Sequence, residues 1–383
     1  MPDRLDTGEL VALIRGTFSP GPEDRRLALL VDAPDSEAED TTGWKALRRM
    51  AFDWAASLDS VRETAGLEAV RVFVYPNTHG NNAELPETAF TGLADPDSLL
   101  SGRLAETGTP LPLSGILSSY RLILAPTRYS ATAPLKLLAG TYGFRAATLP
   151  GFTQAMIPAL RLDSDAVNRR LDRIKALLDP AEGLDIRFDV DGRLRVLHAD
   201  LRFRTAHASG GRFPRPGTAG NLPGGETYIV PYEGGQGTPS RTRGVLPVQF
   251  GDEVVYYRIE GNRAVHVPGS GPESRREAAA IREEPAYANL AEIGFGVLRE
   301  FGIRPAGEIL LDEKLGLHIA FGRSDHFGGA VGVKDFSAPG KAVHIDRVYI
   351  PEIMPRIRVA AVELISGDGK RKRIMEDGLY AGI

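Results

Sequence analysis

Around residue 184 the sequence changes texture, and that change limits the folds open to it more than any single motif. Before it, apolar runs that read as buried strands alternate with amphipathic helical stretches. Val70-Arg71-Val72-Phe73-Val74-Tyr75 stops at Pro76, and Tyr120-Arg121-Leu122-Ile123-Leu124-Ala125 stops at Pro126. Trp44 to Leu58 places Leu47, Met50, Ala51 and Trp54 at helical spacing, and Ala133 to Ala139 and Ser164 to Leu178 follow the same period. Such alternation predicts a layered α/β domain with a partly parallel sheet. After residue 184 the pattern is that of hairpins: Leu184 to Val190 and Arg193 to His198 alternate around Asp191-Gly192, a strong two-residue turn signal. Further strands are expected at Val254 to Ile259, Ala264 to Val267, Leu317 to Phe321, Ala342 to Tyr349 and Ile357 to Ile365, the last before a turn at Asp368-Gly369.

The chain is therefore expected to be α/β, or α+β taken whole. Residues 1–183 would form the N-terminal layered α/β domain, and residues 184–383 a β-rich metal-binding domain. Its 383 residues suffice for two cores. Glycine and proline crowd residues 209–243, which reads as loops over a site. The two Trp residues read as core. No glycine-rich phosphate fingerprint follows either N-terminal strand, which argues against dinucleotide binding.

Composition narrows the chemistry. With 46 basic and 50 acidic side chains there is no basic excess for nucleic acid. The absence of cysteine excludes disulfides, thiolate zinc sites and a cysteine nucleophile, in keeping with a cytoplasmic setting. Met1 to Leu10 carries Asp3, Asp6 and Glu9 where a signal peptide needs a basic start and an apolar run. The apolar runs fall far short of the roughly 18 to 20 residues that span a bilayer. A soluble protein without membrane partners is expected.

Four segments of the second half place carboxylate or imidazole beside glycine or inside an apolar strand, where a titratable group is costly unless paired or bound. They are Asn221-Leu222-Pro223-Gly224-Gly225-Glu226, Asn289 to Gly296 around Glu292, Leu311 to Gly322 with Glu313 and His318, and Val343-His344-Ile345-Asp346. On a strand His344 and Asp346 project together, with Ile345 turned to the core. Taken singly, each residue has an ordinary reading as a hydrogen-bonded core group, a cap or a solvated turn charge. Taken together, several carboxylates and two imidazoles beside glycines make the ligand set of a co-catalytic metal pair. Oxygen-rich ligation with two histidines suits Zn²⁺, Co²⁺ or Mn²⁺.

In this order, the motifs Asn-Leu-Pro-Gly-Gly-Glu, Ala-Glu-Ile-Gly-x-Gly, Asp-Glu-Lys-x-Gly-x-His-Ile-Ala-x-Gly and His-x-Asp resemble those of the aminopeptidase T and aminopeptidase S family of metallo-aminopeptidases. The likeness runs from about residue 220 to 350. It implies a two-domain α/β hydrolase, usually a homodimer, that removes N-terminal residues from peptides with two divalent metals. By position it implies Glu226, Glu292, Glu313, His318, His344 and Asp346 as metal ligands, with Glu292 as the bridge. That family usually carries a tyrosine shortly after the histidine of its third motif, assisting at the metal centre. Here the place is taken by Arg323-Ser324-Asp325-His326-Phe327. Asp325 and His326 become candidates for the catalytic role, against the alternatives of a changed chemistry or an ordinary loop.

Two other functions are compatible with these residues. His318, His344 and Asp346 also compose a two-histidine, one-carboxylate set of the kind that holds non-haem iron(II), and the aminopeptidase-like fold is shared by a ring-cleaving dioxygenase acting on a dihydroxypyridine. A non-catalytic peptide-binding relative is the third.

Overall fold

The computed structural model describes residues 4–382, whose contacts divide the chain into two compact units. One comprises the residues up to Ser164 together with Gly210–Gly224, and the other Asp165–Ser209 and the residues from Gly225 onward. These units do not coincide with a single cut after residue 183. From Asp165 on, the helix Ser164–Leu178 goes with the second unit, and residues 210–224 go back to the first.

The first unit is built on a seven-stranded sheet in the order Thr218–Asn221, Arg145–Thr148, Leu122–Ala125, Arg26–Ala33, Ala69–Pro76, Thr88–Thr91, Thr109–Pro112. The first five strands are parallel and the last two antiparallel. Parallel neighbours need crossovers. Thr42–Ser60 supplies one, its first turn capped by the Thr41 hydroxyl, and Thr132–Tyr142 another. Every residue of Arg26–Ala33 after the first is buried, as a central parallel strand covered on both faces requires. Trp44 and Trp54 are buried core side chains, as expected, and the Trp44 indole N–H donates to the Asp32 carboxylate at 3.0 Å.

The second unit stacks an eight-stranded antiparallel sheet on a five-stranded one. Asp191 and Gly192 both take left-handed conformations, φ 49° and 81°, and close the hairpin between Ala181–Val190 and Arg193–Asp200. The helix Ser164–Leu178 turns Val167, Leu171, Ile174 and Leu178 inward at helical spacing. The five-stranded sheet runs His344–Val348, Leu317–Gly322, Leu290–Gly296, Glu226–Ile229, His207–Ser209, antiparallel throughout. Ile293, Phe295, Leu317, Ile319 and Phe321 on one of its faces are wholly buried, and the Phe321 ring meets Tyr257 of the other sheet at 4.9 Å. Each such side chain contributes about 1.5–3 kcal/mol by leaving water.

Two expectations are corrected. Residues 209–243 are not only loops, because they supply Thr218–Asn221 to one sheet and Glu226–Ile229 to another. Ile345 is half-buried rather than core, since its strand is the edge of the five-stranded sheet. Among the described residues no helix is long and apolar enough to cross a membrane.

Candidate metal centre

The face of the five-stranded sheet opposite its apolar side carries the chemistry. Directly paired residues share a face. Glu226 pairs with Gly296, Tyr228 with Gly294, Gly294 with His318, Ala320 with both Glu292 and Asp346, and Gly322 with His344. The even-numbered residues of four neighbouring strands therefore line one surface: two glutamates, an aspartate, two histidines and a tyrosine over a floor of glycine and alanine. Glycine weakens a strand interior, and here it makes room. A Cβ added at Gly294 would collide with the His318 imidazole, and one at Gly296 with the backbone of Lys314.

These side chains fall into two groups of facing ligand atoms that have one residue in common. Glu226, Glu292 and His318 form the first, and Glu292, His344 and Asp346 the second. His318 Nε2 lies 3.2 Å from Glu226 Oε2 and 3.3 Å from Glu292 Oε1. His344 Nε2 lies 3.2 Å from Glu292 Oε2 and 3.7 Å from Asp346 Oδ1. Each histidine turns its other nitrogen to a carbonyl: His344 Nδ1 donates to Arg323 O at 2.8 Å, and His318 Nδ1 sits 3.4 Å from Gly316 O. A backbone carbonyl only accepts, so the Nδ1 proton stays there and Nε2 is the nitrogen that a metal would take on displacing its proton.

The electrostatics favour a cation. Glu226, Glu292, Glu313 and Asp346 bring four carboxylates, and Lys314, with no exposed surface, brings one ammonium. With all four carboxylates ionised and both imidazoles deprotonated, as ligation requires of them, the count is 4 − 1, or three negative charges for a cation to offset. Burial pushes Glu226 and Glu292 up. It is outweighed at Glu226 by the Lys314 charge and His318, and at Glu292 by hydrogen bonds from His318 and His344, so both are held at about 2. Burial pulls the imidazoles down, yet Glu226 and Glu292 hold His318, and Asp346 and Glu292 hold His344, well above the ordinary range. The buried Oε2 of Glu226 faces His318 Nε2 at 3.2 Å without the alignment of a hydrogen bond and has no other partner. An orphan carboxylate oxygen and an imidazole nitrogen aimed at the same space fit a divalent ion with oxygen and nitrogen ligands.

Glu313, expected as a ligand, lies outside both groups. One of its oxygens is held by the Lys314 ammonium, which also donates to Glu226 Oε1 at 3.0 Å. Burial, opposed by Lys314 and reinforced by Glu226 and Asp346, pushes Glu313 up to about 8. Asp325 also stands apart, paired with Arg323 at 2.6 Å and over a third exposed. Burial works upward on it, but Arg323 takes it below the usual range. The His326 ring lies 5.3 Å from that of His344, beside the ligand groups rather than in them.

Three further residues in or beside the site were not anticipated. Lys314 sits within a quoted motif, but its complete burial depends on the packing of the turn before the Leu317–Gly322 strand. Tyr228 follows Glu226 by two residues, and the period of a strand could have flagged it. Glu233 accepts from Ser324 Oγ (2.6 Å), Ala330 N (2.6 Å), Asn289 Nδ2 (3.0 Å) and Arg204 (2.9 Å), so it ties down the loop that carries His326. Nothing in its sequence surroundings announces that role.

No protein-family model and no curated protein sequence matches the chain. Among solved structures it is similar to the 2,5-dihydroxypyridine dioxygenase of Pseudomonas putida KT2440, with a TM-score of 0.62, 15% identity and 99% of each chain covered. It is also similar to wild-type AmpT, an aminopeptidase T, of Thermus thermophilus, with a TM-score of 0.58, 15% identity and 98% of each chain covered. The chain shares its α/β fold with two enzymes. At this identity the likeness establishes the fold, and the reaction is a matter for the site.

Proposed function

We propose that the protein is a metallo-aminopeptidase that uses two divalent ions, Zn²⁺, Co²⁺ or Mn²⁺, to hydrolyse the N-terminal peptide bond of peptides. The observation that carries this reading is Glu292, which offers one oxygen to the group containing His318 and the other to the group containing His344. Glu226 and His318 would hold one ion, and His344 and Asp346 the other. Bound there, such ions supply Lewis acidity and lower the pKa of water.

The remaining work falls to the chain itself. Glu313 lies outside both ligand groups, so its carboxylate is not taken up by the ions and can serve as the general base. Its oxygen not held by Lys314 accepts the proton of the attacking water and returns it to the departing amine. Lys314 fixes that carboxylate, and the His326 ring stands beside that of His344. AmpT as a structural neighbour supports the reading. A homodimer in the cytoplasm belongs to the same proposal, the dimer being open to light scattering after gel filtration.

A second reading, a mononuclear iron dioxygenase, is favoured by the other neighbour and by the presence of His318, His344 and Asp346 on one sheet face. Against it, His318 falls in the group with Glu226 and Glu292, which a single iron would leave without a purpose. Elemental analysis followed by a panel of aminoacyl substrates separates the two. About two zinc-like ions per chain with release of N-terminal residues supports the aminopeptidase. One iron per chain with oxygen uptake on a dihydroxypyridine and no peptidase activity would sink it.

A further inference from the structure

Tyr228 is the polar side chain on the metal-site face that the aminopeptidase reading leaves without work. It follows Glu226 by two residues on the same strand and so shares its face. Its cross-strand partner is Gly294, and beyond Gly294 in the same row stands His318. Gly294 has no side chain, and the His318 imidazole lies over it, so no side chain stands between that ring and the phenol. The Tyr228 ring is 9% exposed, yet its hydroxyl makes no hydrogen bond among the described residues. The oxygen is not one of the buried polar atoms that lack a partner, so it meets solvent and is open to a partner from a bound ligand. The ring itself is held, stacked on His207 with centroids 5.3 Å apart and packed on Phe327 at 4.6 Å, so the hydroxyl has little freedom to turn elsewhere.

Other donors near the site are engaged. Lys314 gives its ammonium to Glu226 and Glu313, Arg323 gives its guanidinium to Asp325, and His344 Nδ1 gives its proton to a carbonyl. We propose that the Tyr228 hydroxyl is a catalytic hydrogen-bond donor to the carbonyl oxygen of the scissile peptide bond, an inference that rests on the aminopeptidase reading. When the water oxygen bonds to the carbonyl carbon, its proton passes to Glu313 and the π pair moves onto the carbonyl oxygen. The phenol donates to that oxygen and keeps its own proton. Collapse restores the carbonyl, breaks the C–N bond and sends the proton from Glu313 to the amine. A fixed donor aimed where charge develops acts in the transition state more than in the ground state.

The test compares the full chain and Tyr228→Phe, both loaded with Zn²⁺, in three measurements: metal content, kcat and KM on the best aminoacyl substrate, and binding of two ligands. One ligand is a phosphinic dipeptide that presents tetrahedral oxygens, and the other is the free amino-acid product. The expected result is unchanged metal content, KM within about twofold, and kcat lower by about 10²-fold, the loss typical of one oxyanion donor. The phosphinic ligand weakens by a similar factor while product binding holds. An unchanged kcat, equal weakening of both ligands, or loss of metal overturns the donor role and assigns Tyr228 to packing. If the metal-loaded natural chain cleaves no aminoacyl substrate, the aminopeptidase reading fails and the donor role falls with it. If that chain is active and only the variant's expected loss is missing, the donor role alone fails.

Discussion

Glu292 Oε2 stands 3.2 Å from His344 Nε2, while the other oxygen of the same carboxylate stands 3.3 Å from His318 Nε2 on the strand between them. The two imidazoles are thus joined through one side chain, and removal of its charge should affect both sides together. On the proposed two-ion centre, Glu292→Gln is expected to bring bound metal from about two ions per chain to a small fraction of one, because a carboxylate shared by both groups would serve both ions. Asp346→Asn touches one group alone and should retain about one ion. Inductively coupled plasma mass spectrometry on the dialysed proteins checks this. Retention of both ions by Glu292→Gln would remove Glu292 from the centre.

Gly294 tests the floor of the site rather than its ligands. A methyl group there would meet the His318 ring, a rigid imidazole hemmed in by Glu226 and Glu292. Gly294→Ala should leave the far-UV circular dichroism spectrum intact, because the strand tolerates alanine, while displacing His318 and reducing metal occupancy at least tenfold, as mispositioned ligands do. A variant with normal metal content would show that the strand can yield instead of the histidine.

How much of this was open to sequence reading follows from how local each signal is. The helix Ser164–Leu178 and the hairpin at Asp191-Gly192 are set by neighbours in the chain, through period and turn conformation, and both stand where the pattern put them. The central strand Arg26–Ala33 was missed, because a short, wholly apolar run fits a buried helix as well as a buried strand. Thr218–Asn221 pairs with Arg145–Thr148, a partner more than 70 residues away, and no local pattern specifies such a pairing. The site was legible as motifs but not as a surface. Glu226–Ile229 and Leu290–Gly296 carry carboxylates and glycines, which strands usually avoid, so their shared face emerges only from the register. Glu313 was legible as a carboxylate near His318, but its capture by Lys314 depends on packing.

The histidines set a dependence on pH. Although burial works against charge, the carboxylates around them raise both His318 and His344 well above the ordinary range. In the metal-free protein the protonated imidazoles stabilise the fold at acidic pH. A raised pKa gives stability that is complete below the unfolded value, about 6.5, and is lost as pH climbs through the folded one. The Tm of the metal-free protein should therefore fall as pH rises above about 6.5, with Glu313, pushed up to about 8, adding to the fall from lower pH, and the metal-loaded protein should not show this fall. Metal loading near neutral pH should release on the order of one to two protons per chain, read by calorimetry in buffers of different ionisation enthalpy. A heat of binding independent of buffer would contradict the protonated state of the imidazoles.

Glu233 holds the loop beside the site without belonging to it. Its carboxylate gathers Ser324, Ala330, Asn289 and Arg204, and the loop so fixed sets the His326 and Phe327 rings against His344. Glu233→Gln keeps the shape but turns one acceptor into a donor facing the backbone N–H of Ala330 or the Arg204 guanidinium. Such a mismatch in a buried network costs about 1–3 kcal/mol. Since no metal ligand is touched, metal content should stay the same, while amide exchange in residues 324–331 accelerates and KM rises roughly tenfold through the loosened loop beside His344. Hydrogen exchange read by mass spectrometry, set beside the kinetics, decides the matter. Faster exchange with unchanged KM would mean that the loop shapes the fold without lining the path of the substrate, and loss of metal would place Glu233 among the groups that hold the ions.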